Sequence, residues 1–441
     1  MSDIADDEEP KKPINRSDQD WDRARLAMKR GNGLQDLGRF LEALVDYDEA
    51  IALLQLPHLA DRPNLDGIRA GLVMSRGNCL INFGRLSDAM AAFDKALALH
   101  QLPHLAERPD LDGERAGLAG NRGNCLMNLG RLSDALAAYD AASALYQLPH
   151  LAARSDLDIS RASLEVNRGA CLRAVGRLWE ALAAYDAALA LHHLPHLADR
   201  PELDRDRATL ATNCGNCLVK LGRFSEAMAA YDSAMALHQL PHLAIRLELV
   251  EDRATCAGYR AACLDSVGRH SEALASYDMA LALLYLPHVA NGPDLDEDRA
   301  VLAGNRGNCL LNLDRLSEAL AAYDAALALH QLPHLAKRPK LDGDRAMLVG
   351  NQGDCFLALG LIADALSAFE TAEAFLSRPH LRERFDLESA RSSVAIKRGR
   401  CLTSLGRTAE AIAAFAQAET LSSRPQPRNR IDSTSVWEVP R

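Results

Sequence analysis

Asn305-Arg306-Gly307-Asn308-Cys309-Leu310 is a phrase to which the chain keeps returning. Its glycine recurs as Gly31, Gly77, Gly123, Gly169, Gly215, Gly307, Gly353 and Gly399, with Ala261 once in the same place, at a constant interval of 46 residues. A period of about 20–50 residues marks an array in which each unit covers the apolar face of its neighbour, since one unit alone cannot bury that face. The 441 residues therefore read as one elongated all-α solenoid of nine units, not as two or three globular domains. The units start near residues 20, 66, 112, 158, 204, 250, 296, 342 and 388 and cover 20–423. Residues 1–19 make an acidic tail expected to be disordered, and 424–441 a C-terminal tail with Pro-Gln-Pro, four arginines and Trp437.

The copy from Asp296 to Leu341 shows how a unit is built. Asp296 is expected as a helix N-cap, with Glu297 and Asp298 in the first turn and Leu302, Cys309, Leu310 and Leu313 at helical spacing. This helix A stops at Asp314-Arg315, where most copies have Gly-Arg, because glycine enters the left-handed region cheaply. Ser317 is expected to cap helix B, which runs to His330 with Leu320, Tyr323 and Leu327 on one side. Small Ala319, Ala322 and Ala326 allow close approach of the two helices. Pro333 and Pro339 cannot both lie inside a regular helix, so a structured connector of about ten residues follows.

Gly307, Leu310, Ala319, Tyr323 and Ala326 carry a resemblance to the tetratricopeptide repeat (TPR), which places Gly and a large residue in helix A and Ala, an aromatic and Ala in helix B. The resemblance implies a right-handed superhelix of helix-turn-helix units that binds protein or peptide without catalysis. The unit is 12 residues longer than the usual TPR, Arg306 stands where Leu is common, and the terminal proline has moved into Leu-Pro-His. The extra length belongs between helix B and the next helix A, partly as an added turn beginning at the column Asp20, Asp66, Asp112, Asp158, Asp204, Asp296 and Asp342, which Val250 and Glu388 break.

Four further columns bear on chemistry. Arg23, Arg69, Arg115, Arg161, Arg207, Arg253, Arg299, Arg345 and Arg391 occur in every copy. Asp48, Asp94, Asp140, Asp186, Asp232, Asp278, Asp324 and Glu370 end at Ala416, in the one copy that has no successor, so each acid is expected to pair with the Arg of the next copy. His58, His104, His150, His196, His242, His288, His334 and His380 come one per unit with no second ligand beside them, which favours a structural role in the connector over metal binding. Cys79 through Cys401 form a column of eight thiols, too far apart across successive helix pairs for disulfides and best read as small core residues.

Asparagines on helix A supply the candidate site. Asn32, Asn78, Asn124, Asn216 and Asn308 follow the glycine; Asn121, Asn167, Asn213, Asn305 and Asn351 precede it by two; Asn82, Asn128 and Asn312 come five after it. These offsets share one helical face. In TPR proteins that face usually lines the concave groove, and the arrangement resembles the asparagine ladder of O-linked N-acetylglucosamine transferase. An amide both donates and accepts, so such a ladder suits the backbone of an extended peptide; the other reading is capping or stack-stabilising bonds. Ala170, Ala262, Asp354 and Arg400 interrupt the ladder, and the adjoining groove position reads Ile81, Met127, Arg173, Val219, Asp265, Leu311 and Leu357.

No phosphate-cradling loop, nucleophile elbow, paired Cys-x-x-Cys or zinc-helix motif is present, so no enzyme and no cofactor or metal is expected. Net charge is −10, half of it from residues 1–22, which disfavours nucleic acid as a partner. The N-terminus lacks the pattern of a secretory signal and no apolar run suits a membrane, so a cytoplasmic location without membrane contact is expected. The expected function is a scaffold for an extended peptide or partner protein. Rival expectations are a sensor or regulatory subunit docking an effector enzyme, and an end-to-end assembly, which the modified terminal units disfavour.

Overall fold

A computed structural model of the chain describes residues 16–382 and 384–423, and divides into two compact units, residues 1–199 and 200–441. Residues 1–15 of the acidic tail and the tail 424–441 lie outside the described residues. In the first unit four hairpins follow one another: α1 (Arg16–Asp36) with α2 (Phe40–Leu54), α3 (Asp66–Asn82) with α4 (Leu86–His100), α5 (Asp112–Asn128) with α6 (Leu132–Tyr146), and α7 (Asp158–Ala174) with α8 (Leu178–His192). The second has five: α9 (Asp204–Lys220) with α10 (Phe224–His238), α11 (Val250–Ser266) with α12 (His270–Leu284), α13 (Asp296–Asn312) with α14 (Leu316–His330), α15 (Asp342–Ala358) with α16 (Ile362–Leu376), and α17 (Glu388–Ser404) with α18 (Thr408–Ser422). No strand occurs among the described residues, and inside each unit every B helix packs on its own A helix and on the next, the arrangement of an α-solenoid. α1 begins at Arg16, ahead of the start at residue 20 read from the repeat.

Each hairpin closes where the sequence places glycine. Gly84 has φ 67°, its N–H donates to Ile81 O at 2.9 Å and Arg85 N–H donates to Leu80 O at 3.1 Å, the bond pair that satisfies the last carbonyls of a helix. Asp314, at φ 58°, is the one non-glycine residue with positive φ among the described residues. Because a Cβ is disfavoured there, Asp314→Gly is expected to stabilise the second unit by about 0.5–1 kcal/mol, net of glycine's greater freedom when unfolded. A raised denaturation midpoint checks this.

Two expected caps are placed differently. Asp296 is the first helical residue after Leu295, and Ser317 lies one residue inside helix B, whose N-cap Arg315 makes no side-chain capping bond. Arg315 instead grips Glu318 at 2.7 and 2.6 Å, so the first turn is stabilised by an ion pair and by a carboxylate at the positive helix end. The connector is ordered as a short helix, Pro333–Ala336, and a 3-10 turn, Pro339–Leu341.

The polar columns form two separate networks. The acid of helix B does reach the next copy, but its partner is the residue before the conserved glycine: Asp48 binds Arg76 at 2.6 Å, Asp140 binds Arg168 at 2.7 Å, Asp278 binds Arg306 at 2.6 Å, and Asp324 takes Gln352 at 2.6 Å. The acids are more than half exposed, so each pair is worth no more than about 1 kcal/mol. The invariant arginine binds instead the acid three residues before it, plus carbonyls of the preceding connector: Arg345 Nη1 donates to Asp342 at 2.6 Å and its Nη2 to Leu335 O at 2.7 Å and His330 O at 3.2 Å. That arrangement corrects the expected partner and explains the fidelity of the column, because carbonyls at a helix C-terminus are unsatisfied and partly negative.

The same acids receive the histidine column. His104 Nε2 lies 3.0 Å from Asp66 Oδ2, His150 3.0 Å from Asp112, His242 3.0 Å from Asp204 and His380 3.1 Å from Asp342. Each Asp is thus held on one oxygen by Arg and on the other by a connector histidine, a structural use of these side chains. In the copy where Val250 replaces the acid, residues 287–290 form turns in place of the short helix.

All ten cysteines are buried and none is in a disulfide. Burial pushes Cys263 and Cys355 up to about 11, which keeps them as unreactive thiols in the core.

Candidate functional site

All the asparagines but Asn305, which is buried, lie along the most open stripe of the A helices. In α9 the exposed or half-exposed positions are Arg205, Asp206, Thr209, Thr212, Asn213, Asn216 and Lys220, a run at helical spacing that contains both ladder residues. In α5 the stripe carries Asn121, Asn124 and Asn128, and in α7 Asn167 is half-buried. Asn82, Asn128 and Asn312 are the last residues of their helices and exposed. Asn82 spends an amide N–H on the Asn78 carbonyl of its own helix at 3.0 Å.

Four of the amides behind the glycine are held by the helix-B aromatic, which the sequence marked as a repeat position but not as their partner. The hydroxyl of the helix-B tyrosine donates to the amide oxygen: Tyr47 to Asn32 at 2.9 Å, and Tyr139 to Asn124, Tyr231 to Asn216 and Tyr323 to Asn308 at 2.8 Å. The rings reach that far because the conserved glycine leaves room; a Cβ on Gly307 would stand 2.5 Å from Tyr323 Cε1. With the oxygen occupied, the amide N–H₂ is the group left to face outward. Asn78 faces Phe93, and Ala170 and Ala262 face Tyr185 and Tyr277, so the pairing is imperfect and was only partly visible in the columns.

In the second unit Asn351 Nδ2 donates to Asn308 Oδ1 at 2.8 Å, joining two copies. Asn305, Asn308 and Asn351 converge with His330, Asp344 and Met347 around a cavity of about 20 Å³, room for one water and not for a side chain. Here the amides serve the stack. The adjoining positions are also drawn inward: Ile81, Leu311 and Leu357 pack against the core, and Met127 sulfur lies 3.8 Å from the Tyr139 hydroxyl.

His330 belongs to a second set of histidines that the connector column concealed. With His100 and His238 it ends helix B, buried, its Nδ1 without a hydrogen-bond partner among the described residues. Burial, then Arg345, pushes His330 down to about 4. A folded value below the unfolded one, about 6.5, means the unfolded chain takes up the proton first. The neutral histidine therefore costs nothing above pH of about 6.5 and destabilises progressively as pH falls towards about 4. Asp298 and Asp344, which burial and then Glu297 push up to about 6, act oppositely: their contribution is present below about 3.8 and is lost as pH rises through about 6. The informative quantity is the difference between parent and His330→Leu, the residue of copies one, six and eight. It should grow by roughly 2–3 kcal/mol in the variant's favour between pH of about 7 and about 4, measured by denaturant unfolding.

Among solved structures the chain is similar to the apo form of the quorum sensor NprR from B. thuringiensis, with 15% identity over 89% of this chain and 99% of that one and a TM-score of 0.55. It is also similar to BtubC from P. vanneervenii (20% identity, 63% and 96% covered, TM-score 0.42) and to YrrB, described as a TPR protein with an unusual peptide-binding site (19%, 53% and 97%, TM-score 0.33). No protein-family model and no curated protein matches the chain. The consecutive hairpins and the likeness to NprR show a TPR-type α-solenoid. No described helix is long and apolar enough to cross a membrane.

Proposed function

We propose that the chain is a non-enzymatic interaction scaffold and that the A-helix stripe of each unit binds an extended peptide or a partner protein through asparagine amides. The observation that carries this reading is the tyrosine clamp. By engaging the amide oxygen it fixes the rotamer and leaves N–H donors at repeated positions, Asn32 and Asn124 in the first unit and Asn216 in the second. Donors held rigidly before binding reduce the entropy lost on association, and peptide carbonyls are their natural acceptors whatever the side chains. Selectivity then rests on neighbours such as Arg205, Asp206 and Lys220 on α9, which favour some side-chain charges over others.

The test is a random-peptide display selection on the full chain, followed by titration of recovered peptides. Asn124→Ala and Asn216→Ala install the residue that copies four and six already carry, so the fold should persist. Each is expected to weaken binding about tenfold, the loss of a hydrogen bond worth roughly 1.5 kcal/mol. Equal affinity in parent and double variant would overturn the groove reading.

A further inference from the structure

The sixth copy departs from its fellows at two positions at once. Asp265 replaces a residue that is Ile81, Met127, Val219, Leu311 or Leu357 in five other copies, and His270 replaces the helix-opening Leu86, Leu132, Leu178, Phe224, Leu316 or Ile362. The turn between α11 and α12 brings these two together, and the packing of α13 brings Cys309 of the next copy against them. His270 Nδ1 lies 2.6 Å from Asp265 Oδ1, Cys309 Sγ lies 3.2 Å from the same oxygen, and all three ligand atoms fall within 4.8 Å of one another. It is the one such cluster among the described residues.

A hydrogen bond from the thiol to a side-chain oxygen does not by itself require this pairing. At the equivalent place in the first unit Cys79 Sγ reaches Gln35 Oε1 at 3.5 Å, and the position of His270 is held by apolar Phe40. The histidine adds a nitrogen aimed at the point where carboxylate and sulfur already meet. The carboxylate sits in the last turn of α11, where the helix end is partly negative and favours a cation. Arg269, the adjacent cation, is turned to Glu272 at 2.7 and 2.6 Å. The side chains of His270 and Asp265 are 27% and 23% exposed, so an ion can enter from solvent, while Cys309 forms the buried floor.

We propose that Asp265, His270 and Cys309 form a binding site for a borderline-soft divalent cation, Zn²⁺ being the fitting one, with its fourth position open to solvent. Metal–ligand bonds of about 2.0–2.3 Å require the three ligand atoms to exchange their hydrogen-bonded spacing of 2.6 and 3.2 Å for the wider spacing of ligands around one ion. Binding replaces the S–H bond of Cys309 by an S–Zn bond and releases one proton to water, without redox change. Because a proton is released, uptake strengthens as pH rises.

The experiment is titration of the reduced full chain with Zn²⁺ against a chromophoric chelator, and with Co²⁺ read by absorption. One tight equivalent and a thiolate-to-cobalt charge-transfer band are expected. Asp265→Leu and His270→Leu, which restore the residues of copy seven, are expected to keep the helical signal and to weaken binding by more than about a hundredfold each, beyond the range of an outer-shell change. Cys309→Ser should remove the charge-transfer band. Absence of a tight equivalent, or uptake unchanged in His270→Leu, would overturn the site; the second result would assign binding to the connector Asp–His pairs instead.

Discussion

Arg299→Met is expected to destabilise the second unit by about 3–5 kcal/mol, the scale for breaking a buried, fully bonded charge network. Arg299 is 1% exposed and its guanidinium donates to Leu284 O at 2.9 Å, Val289 O at 2.6 Å, Gly292 O at 3.0 Å and Asp296 Oδ1 at 2.6 Å. Methionine fills much of the volume, so the loss comes mainly from polar groups left unpaired: three carbonyls and a carboxylate whose histidine, His334 at 3.2 Å, cannot satisfy it alone. Arg23→Met is the internal control. Arg23 stands in the same column, but its side chain is 62% exposed, so its loss should be within about 0.5 kcal/mol. Denaturant unfolding of both variants, with hydrogen exchange of α12 and α13, checks the contrast. Equal effects would mean that the arginine column does not act through the connector.

Gly307→Val carries the next largest effect. A Cβ there meets Tyr323 at 2.5–2.9 Å, and the ring cannot retreat without losing its bond to Asn308 and its buried seat. Overpacking of this kind costs about 1–3 kcal/mol, and valine's lower helix preference does little to offset it. Alanine brings the same Cβ without the two γ-methyls, and the up to about 1 kcal/mol of helix propensity it returns offsets part of that contact, so it should be milder than valine. The chain has made that exchange once: Ala261 holds the glycine position of the sixth copy while Tyr277 stays 2% exposed. A thermal melt that ranks Gly307→Ala between the parent and Gly307→Val is the expected outcome. If peptide binding depends on the tyrosine clamp, the valine variant should also weaken it.

The hairpin, its turn and the alanine-lined helix B were all legible, because glycine at positive φ, helix spacing and proline exclusion act within a few residues. The arginine column was legible as something invariant and was assigned the wrong partner. Its true acceptors are backbone carbonyls of the preceding connector, and every residue has a carbonyl, so no column announces them. The His–Asp pairs escaped for a related reason: Asp66 and His104 stand 38 positions apart and meet only when the connector folds back over the start of helix A. The buried histidines at the end of helix B were met in the sequence only as His330, the last residue of that helix, because the cover that buries them comes from other parts of the fold.

For the asparagines the sequence offered the shared face and the interruptions but not the orientation. Whether an amide turns to solvent or to the stack depends on the ring across the hairpin, as Asn124 with Tyr139 and Asn308 with both Tyr323 and Asn351 illustrate. The repeat length, the helix-pair architecture and the helical face occupied by the amides followed from the chain alone, since they express steric and hydrophobic periodicity along it. Which polar group meets which, at the arginines, the histidines, the amide oxygens and the Asp265–His270–Cys309 cluster, was decided only in three dimensions, because hydrogen bonds are short-ranged and directional and their partners here come from different helices and copies.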